Sequence, residues 1–215
     1  GLNRIHIGME SGSDKVLKMV KKGVDKTTQV RAGQKVRQAG IELSEYFMPG
    51  LGGAALSREH ALESADALNQ INADFIRLRS LALPAAAPLT AHYESGEFDK
   101  MGEVATTREL LLFLESLQGI TSKVRSDHVL NLFSEVNGTL PDDQQKMTDP
   151  LRRFLELDAR EQMLFCIGRR THRFSRLDDL AKPELRGPVE KMCDTHGATE
   201  DNMDQIIQSI MQRFI

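Results

Sequence analysis

The chain has 215 residues, with 40% hydrophobic and 27% charged side chains and a formal net charge of -3. That is the composition of an ordinary globular protein, with room for one large domain or two small ones. The slightly acidic total offers nucleic acid and anionic membrane no electrostatic handle, and no apolar run approaches a membrane span.

In chain order, residues 4–9 read as a β-strand, ended near Gly8 and the turn-prone Glu10-Ser11-Gly12-Ser13-Asp14. This strand begins almost at once after Gly1-Leu2-Asn3, so the chain is expected to be the C-terminal part of a longer protein. Ser13 caps a helix through Val16, Leu17 and Val20 that stops near Gly23. Thr27 or Thr28 starts a second, carrying Val30, Ala32, Gly33, Val36 and Ala39 and closed by Gly40. Residues 41–48 form the second strand, broken by Pro49-Gly50-Leu51-Gly52-Gly53. Ser57 caps a helix to about Ile71, and residues 74–83 form a third strand, broken by Pro84 and Pro88. Such alternation argues for parallel strands with right-handed crossovers, in an open sheet or a barrel.

After Thr106 the apolar spacing turns helical, from Leu110, Phe113 and Leu117 to a last stripe between Met203 and Phe214. The sequence therefore predicts an α/β unit over 1–100 and an all-helical region over 101–215. Cys166 and Cys193 make neither a disulfide framework nor a metal cage; they read as buried small apolar residues, and a reducing cytoplasm is the default compartment.

Strand side chains alternate between two faces. One face takes Ile5, Ile7 and Met9, then Leu43, Glu45 and Phe47, then Ile76 and Leu78, and suits a covering layer of helices. The other carries His6, Glu10, Ser44, Tyr46, Arg77 and Arg79. A closed barrel packs its lumen with branched apolar side chains, so this polar face is informative. Either Arg77 and Arg79 pair with Glu42 or Glu10, or the lumen is wide and holds a polar ligand. Ligands of parallel α/β folds sit at the carboxyl ends of strands, which here are Glu10, residues 48–53 and residues 81–84.

Ile5-His6-Ile7-Gly8-Met9-Glu10-Ser11-Gly12-Ser13-Asp14, followed by Val16-Leu17-Lys18 and Lys22-Gly23, resembles the fourth-strand segment of radical S-adenosylmethionine enzymes. The nearest branch holds the oxygen-independent coproporphyrinogen III oxidases and the methylthiotransferases. Residues 40–53 are similar to the fifth strand and its glycine turn, and residues 74–84 with Pro88-Leu89 to the sixth strand and its exit loop. The resemblance covers about the first hundred residues. It implies strands four to six of a partial (βα)6 TIM-like barrel. It also implies a 4Fe–4S cluster on a CxxxCxxC loop that lies outside this chain, since Cys166 and Cys193 lack that spacing. In the family the cluster binds S-adenosylmethionine and reduces it to a 5′-deoxyadenosyl radical, with electrons from a donor such as flavodoxin or ferredoxin. Without the cluster loop the chain is expected to be inactive.

Carried over by position, Glu10, with Ser11 beside it, matches the polar residue that bonds the cofactor's ribose or amino-acid part. Glu10 as a helix-start acid is the bland alternative. Lys22 matches a basic position facing the cofactor carboxylate, where relatives often have arginine. Tyr46 stands where relatives often carry an aspartate, so Ser44 or the Tyr46 hydroxyl takes that contact. Met48 and Leu81 match positions flanking the adenine. Ala85-Ala86-Ala87 departs from the usual Gly-Thr pattern of the exit loop.

No HxxxH or HxH spacing occurs among the six histidines, and the glycine turn matches neither GxGxxG nor a P-loop. Arg169-Arg170-Thr171-His172-Arg173 reads as a solvated helix end before it reads as an RNA or acidic-partner contact. Two alternatives to the radical enzyme stay open: a non-radical TIM-barrel enzyme whose Arg77 and Arg79 grip an anionic substrate, and an interaction module whose helical half recruits a partner.

Overall fold

The computed structural model describes residues 1–211; Phe214, the end of the predicted C-terminal stripe, lies outside them. Five strands form one sheet in the order β1 (Arg4–Glu10), β2 (Glu42–Phe47), β3 (Phe75–Leu78), β4 (Lys123–Arg125) and β5 (Gly138–Thr139). The first four run parallel and β5 is antiparallel to β4. Helices α1 (Asp14–Met19) and α2 (Lys26–Gln38) join β1 to β2, and α3 (Gly53–Ile71) joins β2 to β3. Helices α4 (Pro88–Glu94) and α5 (Glu103–Glu115) precede β4; α6 (Gln144–Glu156), α7 (Ala159–Arg170), α8 (Pro183–Thr195) and α9 (Met203–Met211) follow β5. The α/β class and the parallel strand order match the sequence reading.

The second half is not all helical, because β4 and β5 extend the same sheet. They are three and two residues long, too short for any periodicity, and Val124 is the only large apolar residue in them. β3 also stops earlier than predicted, at Leu78. Its continuation still runs beside the exit of β2, since Arg79 N donates to Phe47 O at 2.9 Å and Leu81 N to Pro49 O at 3.2 Å.

Local caps explain the helix starts. Ser13 accepts from Val16 N, as its position predicts. For α2 the cap is Asp25, which accepts from Thr28 N, and not Thr27 or Thr28. Helix α3 starts four residues before Ser57. There a tertiary contact replaces a side-chain cap: Ala54 N donates to Asp99 O at 2.9 Å. Gly53 has φ +60°, and Phe98 and the Asp99 carbonyl occupy the space a Cβ would need.

One sheet face packs under α3 and α5. Leu43, Phe47, Ile76, Leu78 and Val124 meet Ala61, Ala65 and Leu68 of α3 and Phe113 and Leu114 of α5. The Phe47 and Phe113 rings stack at 3.9 Å. The same apolar cluster continues through Phe133, Phe154 and Phe165 to Met203, Ile207 and Met211, and takes in Cys166 and Cys193. Arg169 and Arg170 are not a solvated helix end. Arg170 is buried against Glu103 (Nε–Oε1 2.8 Å) and the Leu130 carbonyl, while Arg169 bonds the Leu132 and Phe174 carbonyls. No described helix is long and apolar enough to cross a membrane.

Candidate functional site

Laterally paired residues share a sheet face. The register aligns His6, Ser44, Phe75 and Lys123 in one row and Tyr46, Arg77 and Arg125 in the next. These side chains lie opposite the helix-covered core, and His6 and Lys123 are exposed while Tyr46, Phe75, Arg77 and Arg79 are half-buried. The polar face predicted from alternation is therefore open to solvent at these positions, with Ser44 buried among them.

At its carboxyl end β1 is irregular. The register passes from Ile7↔Glu45 to Glu10↔Phe47, one residue being inserted, and Glu10 takes φ 62°. The Glu10 carboxylate folds back over Gly8, where a Cβ would collide with Oε1. Lys22 Nζ stands 3.6 Å from Glu10 Oε1. Burial raises the Glu10 pKa, opposed by the charges of Lys22 and Arg79.

Tyr46 is linked to this pair through Arg79, whose charge acts on Glu10. Its ring stacks on His6, its hydroxyl is 3.4 Å from His6 Nδ1, and the Arg79 guanidinium sits 4.8 Å from its centroid. Glu10, Tyr46 and Arg79 thus share one surface at the carboxyl ends of three adjacent strands. Ser44 is buried beneath Arg77, whose Nε donates to its Oγ at 3.2 Å.

Arg77 and Arg79 do not pair with Glu42 or Glu10 as the strand faces suggested. Glu42 is bonded to Arg4, and both arginines reach Asp127 in the loop after β4: Arg77 through Oδ2 and Arg79 through Oδ1, the latter at 2.8 Å. Burial acts to raise the Asp127 pKa, but Arg79 and Arg77 outweigh it and hold the carboxyl low. Nothing in the local sequence marks Asp127, because its partners are 48 and 50 residues away.

The remaining predicted residues face inward. Met48 and Leu81 join a small apolar cluster with Val16, Leu51, Leu83 and Phe98. Ser11 is fully buried, and its hydroxyl meets His60 Nδ1 at 2.9 Å and Ser13 N at 3.0 Å. His60 Nε2 bonds the Met48 carbonyl at 2.9 Å, and Glu109 accepts from Gly50 N at 2.7 Å. Burial pushes His60 down to about 4 and Glu109 up to about 7, so His60 is neutral and donates from Nε2 to the carbonyl. This network ties the turns after β1 and β2 to α3 and α5. The signal for it lay in α3, where His60, Ala61, Ser64, Ala65, Leu68 and Ile71 share the buried stripe.

Glu45 lies on the core face, as alternation placed it, and is fully buried. Its Oε2 has no hydrogen-bond partner. Burial, with the nearby charge of Glu10, raises its pKa to about 8. Behind the β2 and β3 exits a cavity of about 100 Å³ is lined by Pro49, Gly50, Leu81, Lys100, Glu103 and Asp204, among others.

Compared with known proteins, the chain matches no family model and no curated protein.

Proposed function

We propose that this chain is the cofactor-binding wall of a radical S-adenosylmethionine enzyme that works in the cytoplasm, its parallel strands being part of an open, partial barrel. The observation that carries the reading is the Glu10–Lys22 pair, 3.6 Å apart at the strand ends on the open face. An amino-acid head group offers the complementary ammonium and carboxylate, and a ribose offers hydroxyls to the same Glu10 oxygens. The fold-back of Glu10 over Gly8 supports this, since only a residue without Cβ leaves the carboxylate that position. Tyr46, linked to Glu10 through Arg79, supplies an aromatic wall, while Met48 and Leu81 pack inward and back the turns from behind.

S-adenosylmethionine, when bound and reduced, supplies hydrogen-abstracting chemistry. This chain's residues bind and orient it: Glu10 takes the ammonium or the ribose hydroxyls, Lys22 takes the carboxylate, and the open face admits the substrate. The 4Fe–4S cluster does not fit here. Cys166 and Cys193 are buried in α7 and α8, and among the described residues no group of three His, Cys, Asp or Glu side chains could hold a metal ion.

Calorimetric titration with S-adenosylhomocysteine, which keeps the nucleoside and head group, tests the reading. Saturable binding is expected, weakened at least tenfold by Glu10→Gln and by Lys22→Gln in variants whose circular dichroism is unchanged. Absence of saturation, or an affinity indifferent to both substitutions, rejects it.

A further inference from the structure

We propose that Arg77 and Arg79, with the loop that follows β4, form a site for a carboxylate group of the substrate, in which Asp127 is a built-in competitor holding the arginines in place until that group arrives.

The stoichiometry is the first argument. One carboxylate, Asp127, serves two guanidiniums, which leaves one positive charge uncompensated. The face around them does not supply the difference. Arg4 uses Glu42 and Lys22 uses Glu10, while Lys123 and Arg125, in register on the same face, form no ion pair among the described residues. The open face therefore carries Arg4, Lys22, Arg77, Arg79, Lys123 and Arg125 against Glu10, Glu42 and Asp127, on a chain whose net charge is -3. Such local concentration of one sign on a surface attracts an anion.

Preorganisation is the second. The Arg79 guanidinium lies 4.8 Å from the Tyr46 centroid and the Arg77 guanidinium 5.7 Å from the Phe75 centroid. Arg77 Nε is tied to Ser44, and Arg79 Nη1 to the Leu78 carbonyl. Aromatic and hydrogen-bond contacts thus hold both guanidiniums before any ligand binds, and such groups suit the oxygens of carboxylates and phosphates. Asp127 favours the carboxylate, since one such group already bridges the pair with one oxygen to each arginine.

Third, the loop is fixed while its tip is accessible. Asn131 donates to the Leu78 carbonyl at 3.0 Å and accepts from Ser80 N at 3.1 Å, and the Ser126 hydroxyl donates to the Phe133 carbonyl at 2.6 Å. Between these anchors the Asp127 side chain is 40% exposed, so it can yield to a competing carboxylate without unfolding the loop. The next residue, His128, has a buried Nδ1 with no hydrogen-bond partner, an unsatisfied polar group next to Asp127 in the chain. Arg79 is close enough for its charge to act on Glu10, which places this site beside the proposed cofactor head group.

Calling the bound group a substrate's rests on the proposed function; the carboxylate site itself does not. The test is a nuclear magnetic resonance titration of the full chain with succinate, against sodium chloride at equal ionic strength, with inorganic phosphate and S-adenosylhomocysteine in parallel. Saturable shifts are expected at the Arg79 Nε–H and at the Asp127 and His128 amides. Arg79→Lys should weaken succinate binding at least tenfold, because charge without the fork does not suffice, while Lys123→Gln changes it less than twofold. Asp127→Asn should strengthen it threefold or more by removing the competitor. If that substitution melts the loop, Asp127→Ser carries the same expectation. An Asp127 variant with a retained loop and unimproved binding, equal effects of Arg79→Lys and Lys123→Gln, or phosphate binding tighter than succinate overturns the carboxylate site. Succinate binding as described without S-adenosylhomocysteine binding overturns the cofactor reading alone.

Discussion

Replacing Glu45 by glutamine removes a titration from the core. Glu45 is 1% exposed and its carboxyl moves from the ordinary 4.5 to about 8. Between these values the unfolded chain carries the charge and the folded chain carries the proton. A carboxyl with a raised folded pKa therefore stabilises most below pH 4.5, and that contribution is lost as the pH climbs toward 8. The slope is roughly 1.4 kcal/mol per pH unit, so the wild type should lose about 3 kcal/mol relative to Glu45→Gln between pH 5 and pH 7.5. For a chain of this size that is a relative change in melting temperature of roughly 6–12 °C. Urea unfolding of both proteins at half-unit pH steps measures the difference directly, and the other titrating groups cancel in it. Because the group is buried, the difference should survive half-molar salt. A stability difference that stays flat across this range would show that Glu45 is ionised in the folded protein, and the burial argument would fail.

Three further outcomes follow from contacts already described. Gly12→Ala places a Cβ on top of the Glu63 carbonyl of α3, a backbone atom that cannot yield, and should cost about 1–3 kcal/mol by chemical denaturation. Gly8→Ala meets only the flexible ends of Glu10 and Lys22, so stability should change by less than about 1 kcal/mol, while calorimetry should show S-adenosylhomocysteine affinity falling several-fold as the carboxylate swings away. Arg170→Met strands the Glu103 carboxylate, whose side chain is 11% exposed, and should lower unfolding free energy by about 3–5 kcal/mol in urea.

Legibility followed the range of the interactions. Strand alternation in residues 4–9 and 41–48 and the breakers at Pro49 to Gly53 are local, and β1, β2 and the polar face emerged from them. Ser13 was readable as a cap because its partner is three residues away. The start of α3 was not, because Gly53 and Ala54 are held by Phe98 and Asp99. β4 escaped notice since Lys123-Val124-Arg125 is a strand only by virtue of pairing with β3. Asp127 and Glu109 entered the site through contacts about fifty residues or more away, a distance over which one sequence carries no pairing signal. Arg170 read as solvated because a helix-end arginine usually is; its burial depends on Glu103, which α5 brings to it.

The end of β1 shows why two neighbouring carboxylates meet different balances of burial and charge. Regular alternation carries a side chain to one face or the other and says nothing about its charge. The inserted residue between Ile7 and Glu10 turns the Glu10 carboxylate onto Gly8 and beside Lys22, where burial raises its pKa and the ammonium opposes that rise. Glu45, paired with Ile7 in the last regular rung, is sealed under the helices and keeps its proton. Binding and stability should therefore separate. At pH 7 Glu45→Gln should leave S-adenosylhomocysteine affinity within about twofold while changing stability, and Glu10→Gln should do the reverse. If Glu45→Gln instead abolished binding at unchanged stability, the head-group contact would have to be reassigned to Glu45 and the other face of the sheet.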